Sequence, residues 1–587
     1  MRGSEWHLAF GANLLGPEQT RFRIWAPGQK KVLVAIEGRE PLGMTACSGG
    51  WFEIVVNCGP GTAYRYLLPD GTAIPDPASR AQSNDVHGPS VVVDPASYKW
   101  RNEHWRGRPW EEAVLYELHV GILGGFNGVA RELPRLAALG ITAVELMPVA
   151  EFPGARNWGY DGVLPFAPES SYGKPDELKS LIDAAHDNGL MVFLDVVYNH
   201  FGPDGNYLAA YAPDMFRNDL TTPWGPAIDF RQKEVRQFFT ENALYWLIEY
   251  RFDGLRFDAV HAITEPDWLD EMAAEVRQRI PDRNVHLVLE NDDNAASHLA
   301  GDFDAQWNDD GHHVLHRLLT GERQGYYEDY EDMPATRLAR CLKEGFVYQG
   351  EPSPHRGGKL RGSPSADLPP TAFVLFLQNH DQVGNRAFGE RLTMLVDPAA
   401  LEAAIALQLL CPQIPLIFMG EETASDTPFL FFTDHNDELA QAVREGRRRE
   451  FSGFQQFNDP VLLQKIPDPN ATETFGRSRS RADEVRGDSR QKLYRTLLAL
   501  RRTHILPLLA RARARDAKAV GPAAVTASWC MGDSVLMLAC NLGQEVVAIE
   551  PLAGTVLFAT SEAARRSAQN GKLEPYTTVA LLAPHDG

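Results

Sequence analysis

Apolar positions follow three rhythms along this chain. Over the first hundred residues they alternate with polar ones: Phe22, Ile24 and Ala26; Val32, Val34 and Ile36; Phe52, Ile54 and Val56; Tyr64, Tyr66 and Leu68. Successive side chains on a strand leave opposite faces, so this alternation predicts strands with one face in a core. Pro27-Gly28, Gly49-Gly50, Gly59-Pro60-Gly61 and Asp70-Gly71 break the runs as turns. Together they predict an immunoglobulin-like β-sandwich over residues 1–95.

From Ala113 the rhythm changes. Continuous apolar runs of strand length stand at 113–120, 141–148, 191–195, 252–260, 285–290, 303–307, 371–379 and 414–419, most followed by helix-like stretches such as 129–139 and 178–189. A run apolar at nearly every position predicts a strand covered on both faces, as in a parallel sheet under helices. Eight strand–helix units predict closure into a (β/α)8 barrel within 96–512, with the amphipathic run 493–509 as its closing helix. Short strand-like runs return at 534–539 and 577–582 and predict a C-terminal β domain over 513–587. The fold class is therefore multidomain α/β, a central TIM barrel flanked by two β domains. Pro352–Pro370 and Pro467–Arg490, dense in Pro, Gly, Ser or charge, read as long structureless loops.

Bulk properties narrow the function. A net charge of −21 lacks the basic footprint that nucleic acid requires. No apolar stretch is long enough to span a bilayer, and Met1–His7 lacks the apolar core of a signal peptide. The six cysteines have no C-x-x-C spacing and read as free thiols of a reducing compartment. The expectation is a cytoplasmic protein with neither nucleic-acid nor membrane partner.

The chemistry lies where four of the apolar runs end in polar groups: Asp195-Val-Val-Tyr-Asn-His200, Gly254-Leu-Arg-Phe-Asp258, Leu287-Val-Leu-Glu290 and Phe376-Leu-Gln-Asn-His-Asp381. Strand C-termini of an α/β barrel share one face, so these groups converge. Arg256 and Asp258, two apart, leave the same side of their strand, and the guanidinium favours an ionised carboxylate suited to nucleophilic attack. Glu290, rising from an apolar run, is placed for a desolvated general acid. Asp381 is a candidate to hold sugar hydroxyls and stabilise positive charge at the reacting carbon. Asp195, Asn199, His200, Asn379 and His380 add donors and acceptors, and His261 stands three residues past Asp258 as a candidate for the sugar beyond the cleaved bond. Three convergent carboxyls point to glycosidic bond chemistry. No cofactor and no metal is expected: His312-His313 reads as cleft lining or loop packing, Asp292-Asp-Asn294 as a solvated turn, and Arg447-Arg-Arg449 as a solvated helix face.

These four segments resemble the signature regions of the α-amylase superfamily of glycoside hydrolases. The resemblance implies nucleophile, acid/base and stabilising roles for Asp258, Glu290 and Asp381, and sugar contacts for Tyr160, His200, Arg256 and His380. Within the superfamily the chain looks most like the malto-oligosyltrehalose trehalohydrolases. The segments that carry this are Met147–Gly154 with Arg156–Gly162, Trp307–Asp310 with His312-His313, Gly325–Tyr330, Phe431–His435 and Arg444–Phe451. That likeness implies hydrolysis of the α-1,4 bond next to a terminal trehalosyl unit, and functional pairing with the synthase that makes such ends. Glycogen branching, α-1,6 debranching and glucan binding by an inactive barrel stay open as alternatives.

Overall fold

The structure, a computed structural model, describes residues 8–452, 460–479 and 488–585. Met1–His7, judged above for a signal peptide, and residues 480–487 of the second expected loop lie outside the described residues.

The N-terminal alternation becomes two facing sheets. Gly11–Gly16, Gln19–Trp25, Trp51–Val56 and Thr45–Ala46 form one, and Leu33–Ile36 with Ala63–Leu67 centre the other. Phe22 of the first meets Tyr64 of the second edge-on, ring centroids 4.7 Å apart, and Ile24, Val34, Ile36 and Tyr66 are buried between them.

The barrel strands are β1 (Leu115–Leu118), β2 (Ala143–Leu146), β3 (Met191–Val196), β4 (Gly254–Phe257), β5 (His286–Leu289), β6 (Ala305–Trp307), β7 (Phe373–Phe376) and β8 (Ile414–Phe418). They pair in parallel in this order, and β8 closes on β1 with Leu115 opposite Leu416. All eight correspond to the apolar runs, and every residue in them is buried. Phe193, Val288, Phe376 and Leu416 are among the side chains packed inside. Gly254 opens β4 because a Cβ there would come within 2.2 Å of the Phe193 ring. Helices at 126–139, 175–187, 233–248, 267–279, 309–320, 334–344, 398–410 and 488–500 cover the outside. After β5 only a single short turn, Ala296–Leu299, precedes β6.

The two expected loops are partly ordered structure. Glu351–Ser353 and Lys359–Arg361 pair as a hairpin. Arg361 Nε donates to the backbone oxygen of Asp292 at 2.8 Å, its Nη2 lies 2.9 Å from Asp292 Oδ1, and Arg356 pairs with both Asp292 and Asp293. The Asp292–Asn294 turn is thus the anchor of the hairpin and not merely solvated. In the second segment, Thr472–Ser478 is helical, and Ser478 Oγ accepts from the Leu430 N–H at 2.9 Å. Ion pairs and hydroxyl contacts hold the described parts of both segments, so hydropathy leaves no sign of them.

Five C-terminal strands run in the order Ala512–Gly521, Ala524–Met531, Ser534–Asn541, Thr577–Pro584 and Thr555–Ala559. Trp529 Nε1 donates to Leu342 O at 3.2 Å and Thr578 Oγ1 to Ala403 O at 2.7 Å, docking this sheet on the barrel. Among the described residues no helix is long and apolar enough to cross a membrane.

Candidate active site

Arg256 organises the barrel mouth. Fully buried on β4, its Nη1 donates to Asp195 Oδ2 at 2.6 Å and to Asp258 Oδ1 at 3.0 Å, and its Nη2 to Glu290 Oε2 at 2.6 Å. One guanidinium thereby gathers carboxyls from the ends of β3, β4 and β5. Its charge lies over the Trp307 ring, 4.1 Å from the centroid.

Asp258 follows β4, and its second oxygen accepts from Asn199 Nδ2 at 2.8 Å. The next residue, Ala259, takes φ +40°, a left-handed conformation rare without glycine, and its N–H donates to Glu290 Oε2 at 2.8 Å. Burial pushes the Glu290 carboxyl well above the usual carboxylate range; Arg256 opposes this, while the negative charges of Asp258 and Asp381 reinforce it.

Asp381 stands in the first turn of the short helix His380–Gly384, which Asn379 caps by accepting from the Gln382 N–H at 2.9 Å. Burial acts to raise the Asp381 carboxyl, but His380, with Nε2 3.4 Å from Oδ1, holds it below its ordinary value. Burial works against the charged His380 ring, yet Asp381 and Glu117 raise its pKa well above the usual histidine value.

Gly159, at φ +106° and with no room for a Cβ against Pro148 O, turns the chain so that Tyr160 enters the site. The Tyr160 hydroxyl donates to Asp195 Oδ2 at 2.6 Å, and its ring stacks on His380 at 5.0 Å. Asp195 is pushed up to about 6 by burial, partly offset by Arg256. His200 Nε2 meets Tyr160 O at 2.9 Å, its Nδ1 pairs with Asn199 Oδ1, and its ring stacks on the exposed Trp224. His261 is exposed at the rim, where Nδ1 accepts from the Asp292 N–H at 3.4 Å.

The structure therefore brings Tyr160, Asp195, Asn199, His200, Arg256, Asp258, Glu290, His380 and Asp381 into one connected network, with Asn379 as its helix cap and His261 at its edge. Trp158 and Trp307 are buried beneath it. His312 and His313 are buried on the helix 309–320: His312 Nδ1 pairs with Leu377 O at 2.8 Å, and His313 lies against Tyr326 and Tyr330. Arg447 departs from the solvated face expected of it. Its Nη2 donates to Gly384 O at 2.8 Å and Arg386 O at 3.2 Å, because the C-terminal carbonyls of the Asp381 helix need donors.

Two strand residues escaped the sequence reading. Glu117 on β1 and Glu145 on β2 lie side by side in register and face the same network. Their signal was a lone acid inside a run otherwise apolar.

Such a site has what glycosidic cleavage requires: a buried carboxyl with a raised pKa, a second carboxyl beside it on the same guanidinium, and a third held low by a histidine. Residues 93–219 match the family model for the alpha amylase catalytic domain, and residues 512–581 match a domain of unknown function, DUF3459. The chain is 42% identical over 501 residues to a malto-oligosyltrehalose trehalohydrolase of Deinococcus radiodurans, covering 83% of this chain and 82% of that protein. To the enzyme of that name from Rhizobium sp. M-11 it is 37% identical over 597 residues, covering 96% and 97%. The crystal structure of a putative alpha amylase from Salmonella typhimurium superposes with a TM-score of 0.93 at 45% identity, covering 98% of this chain and all of that one.

Proposed function

Since the chain belongs to the malto-oligosyltrehalose trehalohydrolase family of α-amylase-type glycosidases, we propose that it hydrolyses the α-1,4-glucosidic bond next to the terminal trehalosyl unit of malto-oligosyltrehalose, releasing trehalose and a maltooligosaccharide. The single observation that carries the mechanism is the Arg256 bridge, which gathers Asp258 and Glu290 on one cation.

Asp258 attacks the anomeric carbon while Glu290 protonates the departing oxygen of trehalose, leaving a covalent glycosyl-enzyme. Glu290, now a base, takes a proton from water, and that water releases the maltooligosaccharide with retained configuration. Asp381 stabilises the positive charge that develops in both steps. Burial of Glu290 supports the acid role, because a carboxyl with a raised pKa keeps its proton near neutrality. Tyr160, Asp195, Asn199, His200, Arg256, Asn379 and His380 hold or frame the glucosyl ring, and His261 faces the leaving sugar.

The substrate is an oligosaccharide whose trehalosyl end a synthase must first build, so the enzyme works downstream of one. Six free cysteines, four of them buried, support a reducing cytoplasm as its location.

Product analysis on maltotriosyltrehalose and maltopentaose, side by side, tests the reading. Trehalose plus maltotriose from the first, with the second nearly untouched, is the expected result. Equal attack on both would replace it with a general amylase, and longer or branched products from amylose with a branching enzyme.

A further inference from the structure

The first barrel strand supplies none of the groups assigned above, yet it carries an acid at its centre. Glu117 is 1% exposed. Its Oε2 accepts from the backbone N–H of His380 at 2.9 Å, and its Oε1 meets His380 Nδ1 at 2.5 Å. The two residues are 263 positions apart in the chain. A buried carboxylate is tolerated only when paired and hydrogen-bonded, and both Glu117 oxygens point at this one histidine.

The geometry points to Glu117 as a positioning residue for the hydrolysis: by holding the backbone N–H and the Nδ1–H of His380 together, it turns Nε2 toward Asp381 and locks the Asn379-capped helix onto β1. The inference rests on the role of Asp381 proposed above. Glu117 touches no substrate and acts through His380.

The surroundings fix the charge of that ring. Asp381 faces it from its own helix, Glu145 from β2 and Asp195 from β3 interact with its charge, and Arg256 from β4 acts on the same three acids. His119 at the end of β1 is driven down to about 4 by burial and stays neutral. Glu145 is buried with neither oxygen partnered, and burial, then the charge of Glu117, hold it well above the carboxylate range. Tyr160 stacks on the ring and Trp158 meets it edge-on at 5.5 Å. Two anions, Glu117 and Asp381, thus flank the His380 imidazole directly and keep it charged.

The test is the pH profile of E117Q on whichever glucan the wild-type enzyme cleaves, so that failure of the substrate assignment leaves it intact. Glutamine keeps the shape and removes the charge. With one flanking anion gone, the imidazolium loses its proton at lower pH than in the wild type, which adds a second ionisation to the alkaline limb set by Glu290. The alkaline limb of kcat is expected to steepen and move acidward by about one unit or more, with kcat about 10- to 100-fold down on that side and KM within about threefold. A limb superimposable on the wild type, or a loss equal at every pH, would overturn the assignment. Should E117Q fail to fold, E117D decides: kcat lowered about tenfold with KM within about twofold supports positioning, and wild-type kcat refutes it.

Discussion

Asn199 grips Asp258 twice, its Nδ2 donating to the carboxylate Oδ2 and to the backbone oxygen, both at 2.8 Å. One amide from the loop after β3 thus fixes the side chain and the backbone of the proposed nucleophile. Asn199→Ala removes both bonds without touching the carboxylate. Turnover is expected to fall about 10- to 100-fold with the fold intact, measured as kcat alongside thermal unfolding.

Asp258→Ala is expected to remove at least ~10³ of the rate, as loss of a covalent nucleophile does. Near-normal turnover of that variant would refute the assignment.

The profile of kcat/KM against pH should report Glu290. Its raised pKa means the proton needed by the leaving oxygen persists into higher pH, and activity falls as pH climbs through that value. Asp381, held low by His380, stays anionic well into acid and protects the acidic side. Glu290→Gln should abolish cleavage of natural glucans but spare a substrate whose leaving group needs no proton, such as a glycosyl fluoride, in its first step.

Stability should depend on pH through a second pair. Glu151 and Glu169 are buried beside one another; Glu151 accepts from Ser170 N at 2.7 Å, and Glu169 from Phe152 N at 3.1 Å. Burial pushes them up to about 9 and about 7. Both folded values exceed the unfolded one of 4.5, so their contribution is fully present below 4.5, shrinks as pH rises above it, and is fully lost once pH has passed about 7 for Glu169 and about 9 for Glu151. The melting temperature should decline over that window, and Glu151→Gln should restore a few degrees (~2–4) at its alkaline end.

Arg447 provides a test at the carbonyl end of the helix that carries Asp381. Arg447→Met keeps a side chain of similar length beside Phe431 but removes the cation over its ring and the donors to Gly384 O and Arg386 O. The expected loss is about 1–3 kcal/mol of stability, read by denaturant unfolding, with kcat several-fold down because the helix bearing Asp381 loosens.

How much of this was legible depended on where each partner lies. All eight barrel strands were visible because parallel strands bury both faces and so appear as unbroken apolar runs. Arg256 and Asp258 were visible because two positions on one strand share a face. Tyr160 needed the family resemblance, since the turn at Gly159 and the stack on His380 leave no periodic trace. Asp292, Glu117 and Arg447 were misread or missed for a common reason. Their partners, Arg356 and Arg361, His380, and the carbonyls of Gly384 and Arg386, lie 61 to 263 residues away in sequence. Local composition does not encode such distant pairings. Charge made Asp292 and Arg447 look solvated, when each is paired to a distant segment.

One guanidinium on β4 answers to Asp195, Asp258 and Glu290 at once. Each acid therefore sets the field felt by the other two, and a substitution at one redistributes the cation among those that remain. Measured singly, their effects should not sum; measured in pairs, they should show strong epistasis. Loss of one acid leaves the buried guanidinium to the other two, so the four side chains respond to mutation as one unit and not as four.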